Sequence, residues 1–185
     1  MTCVVGLNAK GKIWIGGDSA GTDSNFLRVV RKDTKVFKLD NRFIMGYAGS
    51  FRFGQVLQYK FSPPDQPEDK DDYAYMVTDF MDALRKSMIS SGYAKVEDSE
   101  ETWGDGCAVI GYNGRLYTIE GDLQVGEMAL PYCAIGCGAD FAFGSFETSM
   151  KLSKRMAPRK RVLLSLEAAA AFSAAVCPPF IVMSL

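Results

Sequence analysis

Thr2 is the residue of this chain that could do chemistry unaided. With the initiator Met1 removed, a hydroxyl and a free α-amine would share one residue. That pairing is a nucleophile and its base together, because a neutral amine with a reference pKa of about 8 can take the hydroxyl proton at physiological pH. The chain contains no histidine. Ser-His-Asp and Cys-His hydrolases, histidine-ligated zinc enzymes and histidine general bases are thereby excluded as they are usually built. Carboxylate chemistry, Ser-Lys chemistry and the amino-terminal nucleophile survive, and only the last has an assembled set of residues here.

The other reactive-looking groups read more simply. Cys3, Cys107, Cys133, Cys137 and Cys177 form an odd set with no Cys-x-x-Cys pair, which argues against a disulfide framework and against a zinc site and suits buried thiols in a reducing compartment. The acidic stretch Glu97, Asp98, Glu100 and Glu101 lacks the glycine and ligand spacing of a calcium loop and reads as a solvated loop. A formal net charge of -1 gives no general basic field for nucleic acid, and the local cluster Arg155, Arg159, Lys160 and Arg161 reads as a solvated loop and helix start. No apolar run is long enough to span a bilayer and no leader pattern follows Met1, so the expected location is the cytoplasm. No metal and no cofactor is expected.

Strands must present Thr2. Val4–Leu7 and Lys12–Ile15 are apolar and β-branched around the turn residues Asn8 to Gly11, a first hairpin. Thr34–Leu39 and Arg42–Ala48 around Asp40-Asn41 give a second, with Lys35, Phe37 and Leu39 on one face, joined by Asp33 if the strand extends back. Cys107–Tyr112 and Arg115–Glu120 flank Asn113-Gly114, the strongest hairpin signal in the chain. Tyr132–Gly136 and Phe180–Leu185 are further strands. Ser50 caps a helix whose apolar positions include Phe53, Val56, Leu57 and Phe61. Met76, Phe80, Leu84 and Met88 mark a second helix, Ala139–Leu152 a third, and Pro158 opens a fourth that runs toward Val176 before Pro178-Pro179. The polar stretch from Gly92 to Asp105 reads as loop. This alternation suits a layered α+β domain occupying residues 1–185 without internal repeats.

The order of short motifs carries a family resemblance. Thr2-Cys3-Val4-Val5-Gly6-Leu7, Gly16-Gly17-Asp18-Ser19-Ala20-Gly21-Thr22, Lys35-Val36-Phe37-Lys38-Leu39 and Gly46-Tyr47-Ala48-Gly49-Ser50 resemble a proteasome β-type subunit, and most of all the HslV-like peptidase subunit, an N-terminal nucleophile hydrolase. Ala134-Ile135-Gly136-Cys137-Gly138 is similar to the family's Gly-Ser-Gly segment. The resemblance implies a four-layer αββα sandwich, two antiparallel sheets between helix layers. It implies Thr2 as nucleophile and Asp18 as the buried acid. By the same resemblance Lys35, with one residue inserted before it, would be the lysine that disfavours the ammonium form of the amine, and the Gly49 amide would stabilise the oxyanion. Gly21 and Thr22 would pair with substrate backbone as an added strand. The first specificity pocket would draw on Asp33, Phe37, Tyr47 and Phe51, aromatic walls favouring an apolar or aromatic residue while Asp33 could attract a basic one.

Two positions depart from the family pattern. Cys137 stands where the family has serine, and Ala170 stands where proteasome subunits carry an aspartate ahead of the last catalytic serine, here Ser173. The function implied is a threonine endopeptidase of a homo-oligomeric ring, cleaving polypeptides that an ATP-dependent unfoldase ring supplies, since the chain has no phosphate-binding loop of its own. The alternatives are a non-catalytic shell or assembly protein and a small-amide amidohydrolase of the same superfamily.

Overall fold

The computed structural model describes residues 2–23, 25, 27–97 and 100–185. Strands β1 (Val4–Ala9) and β2 (Lys12–Gly17) form the first hairpin. Its turn residues Lys10 and Gly11 both take positive φ, 58° and 85°, the two-residue geometry whose twist matches the strands. Short strands β3 (Ala20–Thr22) and β4 (Arg28–Val30) follow, then β5 (Val36–Leu39) and β6 (Phe43–Ala48) around Asp40 and Asn41 at φ 52° and 55°. Helix α1 (Phe51–Tyr59) starts where expected: the Ser50 side chain accepts from the Arg52 N–H. A second helical stretch runs through α2 (Asp72–Tyr75), a π-helical turn (Met76–Phe80) and α3 (Met81–Ser90).

Beyond it come β7 (Lys95–Glu97), β8 (Glu100–Thr102), β9 (Cys107–Tyr112) and β10 (Arg115–Ile119), the last two joined by Asn113 and Gly114 at φ 46° and 72°. Then follow β11 (Val125–Glu127), β12 (Tyr132–Ile135), α4 (Ala139–Leu152), α5 (Pro158–Phe172) and β13 (Ile181–Ser184). One antiparallel sheet has the order β12-β1-β2-β13 and the other β11-β10-β9-β6-β5.

Period-two patterning assigns each face a partner. On β1, Val5 and Leu7 join Cys3 in a core with Ala142 and Phe146 of α4 and Val162, Leu166 and Ala169 of α5. Val4, on the opposite face, packs with Ile13, Ile15, Val36, Ile44, Val109 and Leu116, the seam between the two sheets. The seam is tight: a Cβ on Gly46 would lie 2.6 Å from Val4 Cγ1, closer than atoms approach. The far face of the second sheet buries Phe43, Met45, Tyr112 and Tyr117 under Phe53, Val56 and Leu57 of α1 and the Met76, Phe80, Leu84 and Met88 stripe. The layers are helix, sheet, sheet, helix, with each fully buried large side chain contributing about 1.5–3 kcal/mol.

The four-residue spacing of that stripe explains the π-helical turn. A regular helix repeats every 3.6 residues, so a strict spacing of four drifts around it. The wider turn at Met76–Phe80 takes up part of the drift and keeps Leu84 and Met88 on the sheet.

Several expectations need correcting. The stretch from Gly92 to Asp105, read as loop, contains the β7–β8 hairpin, though Asp98 lies outside the described residues. Strands β3, β4 and β11 are additional, each of three residues and too short for periodicity to register. Phe61 lies beyond the end of α1 yet is buried in the same core. Strand β5 begins at Val36, so Asp33 sits in a bend ahead of it. Arg161 is not solvated: it is 4% exposed, because α5 docks on β1 and β2 through the face that carries Val162 and Leu166.

Candidate active site

Register places the candidate residues. Val4 pairs with Gly17 on β2 and with Ile135 on β12, so the residues that follow each neighbour, Asp18 and Gly136, flank the start of β1. Thr2 shares the parity of Val4, the face toward the second sheet, and is 2% exposed. From that sheet Lys35 arrives at the head of β5; a Cβ on Gly17 would meet Val36 Cγ2 at 2.8 Å and Lys35 Cβ at 3.7 Å.

Asp18 is the hub. Its Oδ1 accepts from Lys35 Nζ at 2.8 Å and from the Cys3 N–H at 3.1 Å; its Oδ2 accepts from the N–H groups of Ala20 at 2.9 Å and Cys177 at 3.4 Å. The two side chains are 0% and 2% exposed, Asp18 and Lys35 respectively. Burying such a pair is costly unless its remaining lone pairs are satisfied, and here backbone N–H groups satisfy them. One of those donors belongs to Cys3, so the carboxylate fixes the ammonium and the backbone beside Thr2 in one frame. Burial, with Asp18 adding to it, pushes the Cys3 thiol up to about 12, which leaves it an inert core group.

The opposite flank is built from the Gly136-Cys137-Gly138 turn. Gly136 has φ +87°, and a Cβ there would lie 2.3 Å from the Thr2 carbonyl oxygen and 3.3 Å from Ala48 Cβ. The Gly138 N–H donates to that carbonyl at 3.3 Å. The Thr2 N–H donates to Cys137 Sγ at 3.3 Å, and Cys137 Sγ lies 3.6 Å from Ser173 Oγ. Ser173 is the C-cap of α5. Thr2, Cys137 and Ser173 therefore meet, whereas Ala170 offers a methyl group to the apolar core under α4 and α5. Gly49 follows Ala48 at φ +83°, where a Cβ would lie 2.1 Å from the Asp105 carbonyl oxygen. It immediately precedes the Ser50 cap, at the positive end of α1.

The candidate substrate residues divide. Gly21, Thr22 and Phe51 line a groove of about 250 Å³ together with Leu27, Val29 and Arg31. Phe37 and Tyr47 do not: they are 4% and 3% exposed and belong to the core under α1 and the π-containing helix. Asp33 is engaged by Arg31, whose Nε and Nη2 donate to its two carboxylate oxygens at 2.8 Å each. That fork holds the Asp33 carboxyl below the usual range. The Arg31 guanidinium also stacks 3.9 Å from the Phe51 ring centre. Arg31 was missed in the sequence, where its only signal is an arginine two positions before an aspartate. A larger cavity of about 570 Å³ lies between α4 and α5 and is lined by none of the residues read as catalytic or substrate-binding.

No protein-family model and no curated protein sequence matches the chain. Solved structures do. Thiobacillus denitrificans BPH in complex with epoxomicin superposes with a TM-score of 0.82 at 18% identity, over 100% of this chain and 98% of that one. Eukaryotic HslV from Trypanosoma brucei gives 0.70 at 15% identity, over 100% and 99%. The fold is proteasome-like, of the HslV type. Anbu, described as an ancestral β-subunit, from Yersinia bercovieri gives 0.65 at 14% identity, over 99% and 81%. In this HslV-type fold the four layers described above are shared end to end, and the glycine turn, the buried ion pair and the start of β1 converge at one end of the sheet pair.

Proposed function

We propose that the chain is a threonine-type peptidase subunit, one proteasome-like unit over residues 1–185, with Thr2 as its amino-terminal nucleophile after Met1 is removed. The Thr2 amine takes the proton from its own hydroxyl as Oγ attacks a peptide carbonyl and passes it to the departing amine as the C–N bond breaks. Water then attacks the acyl ester, giving its proton through the same Thr2 amine to Oγ as the ester bond breaks and the acid is released. Lys35, fixed by Asp18, keeps positive charge beside the amine and favours its neutral form. The Gly49 amide receives the developing oxyanion at the start of α1, and Cys137 and Ser173 orient the amine. Substrate lies along Gly21 and Thr22 as an added strand. No metal or cofactor enters this scheme.

The observation that carries the reading is the Lys35–Asp18 pair, buried between the two sheets and hydrogen-bonded to the N–H of the residue that follows Thr2. The fold shared with HslV, and with a BPH structure holding epoxomicin, supports the same conclusion. By that likeness the subunits form a homo-oligomeric ring in the cytoplasm whose substrates are polypeptides delivered by an ATP-dependent unfoldase. Among the described residues no helix is long and apolar enough to cross a membrane.

Intact mass measurement of the assembled protein, with and without epoxomicin, tests the assignment. The expected result is loss of Met1 and one inhibitor adduct per chain, absent in Thr2→Ala. Retained Met1 with no adduct and no cleavage of fluorogenic peptides would sink it. A non-catalytic shell protein is the second reading, favoured by the methyl group of Ala170 where a carboxylate would join the network; that reading requires the unmodified, inactive outcome.

A further inference from the structure

Arg161 carries a charge that the described residues do not answer. It lies in the first turns of α5, its backbone N–H bonded to the Ala157 carbonyl at 3.1 Å. Its Nη2 donates to the Ser153 carbonyl at 2.7 Å, while Nη1 is buried with no hydrogen-bond partner among the described residues. No carboxylate among the described residues forms an ion pair with it, and the residue is 4% exposed. A buried guanidinium without a counter-charge costs several kcal/mol. A water molecule could answer the N–H groups but would leave the charge.

The surroundings of Arg161 supply more positive charge instead of relieving it. It lines a cavity of about 350 Å³ into which Lys10, from the β1–β2 turn, and Lys154, from the α4–α5 connection, also contribute. No acidic residue lines that cavity, and its apolar walls include Leu7, Met150 and Met156. It lies at the far end of β1 from Thr2, about 20 Å away at roughly 3.3 Å per residue. Three cations from three separate elements around one recess form a coherent anion-binding set, two exposed for capture and one buried for retention.

We infer that this recess binds a small oxyanion, a phosphate or carboxylate group, through Arg161, Lys10 and Lys154. Binding makes no use of the peptidase groups, so it stands or falls separately from the proposed activity. Thermal unfolding of the whole protein in sodium phosphate, sodium acetate and sodium chloride at matched ionic strength reads it directly. Phosphate or acetate should raise Tm saturably by about 4 °C over chloride; which of the two does so identifies the group. Lys154→Ala, an exposed change, should weaken the response at least about tenfold in half-saturating concentration, equal to ~1.4 kcal/mol. Arg161→Met should abolish the response while unfolding no lower than wild type in chloride. Equal Tm in all three salts overturns the inference, as does a full response in both Lys154→Ala and Lys10→Ala. Those two variants decide the matter even where Arg161→Met fails to fold.

Discussion

Lys35 and Arg161 are the two buried cations among the described residues, and they are buried in opposite ways. Lys35 lies between the sheets with its ammonium on Asp18, and that carboxylate is in turn saturated by three backbone N–H groups. Arg161 lies beneath the α4–α5 connection with one carbonyl for a partner and two more lysines for neighbours. The first charge is compensated within the chain, so its position is fixed before any substrate arrives, as preorganised electrostatics require. The second is compensated by nothing in the described chain, which suits retention of an external anion. Burial alone does not reveal a charge's purpose; the inventory of its partners does.

The contrast breaks most visibly at turnover. Lys35→Met should lower peptide cleavage by at least about 10²–10⁴-fold, the range for loss of proton-transfer support, measured with fluorogenic peptides; a variant retaining most activity would detach the ion pair from the chemistry. Asp18→Ala should cost about 3–5 kcal/mol in urea unfolding, because it leaves the Lys35 ammonium buried and alone. A loss below about 1 kcal/mol would mean that water reaches Lys35. Arg161→Met should be neutral or stabilising in chloride, read by the same urea unfolding, because it removes a buried charge that the described residues leave unpaired.

Thiols sharpen the same comparison. Iodoacetamide should label Cys137 first in the native protein, since it is exposed, while Cys3 and Cys133 are buried and pushed up to about 12. Peptide mapping that finds Cys3 or Cys133 labelled first contradicts the burial. The smallest effect belongs to Asp33, whose partly exposed pair with Arg31 lowers its folded pKa. Its contribution is present above the unfolded carboxylate value of about 3.9 and is lost as pH falls through the lower folded value. Asp33→Asn should therefore cost only about 0.2–1 kcal/mol near neutral pH and nothing in strong acid.

Much of this arrangement was legible in the residues themselves. The three hairpins announced their turns because Gly11, Asp40-Asn41 and Asn113-Gly114 tolerate positive φ. The approach of Thr2, Asp18, Lys35, Cys137 and Ser173 was implied by the family resemblance, and the structure brings them to one end of the sheet pair. What stayed hidden depends on tertiary direction. Which member of the Arg155–Arg161 cluster points inward is decided by how α5 docks, and no pattern of like charges encodes that. Phe37 and Tyr47 were placed among the pocket walls by the family resemblance, which carries no account of depth; both are packed in the core under the helix layer. Arg31 escaped because its partner Asp33 lies in a bend, where period-two reasoning has no purchase. Three-residue strands such as β3 and β4 are shorter than the window that periodicity needs.

The π-helical turn at Met76–Phe80 makes the chain unusually forgiving of a shortened sequence at that place. Such a turn holds one residue more than a regular helix needs. Excision of a single residue there would let the wide turn close into ordinary α-helix, while the flanking segments before Met76 and after Phe80 keep their original bearing on the sheet. Elsewhere in the same helix the identical deletion would swing every downstream side chain by about 100° and tear the stripe from its seat.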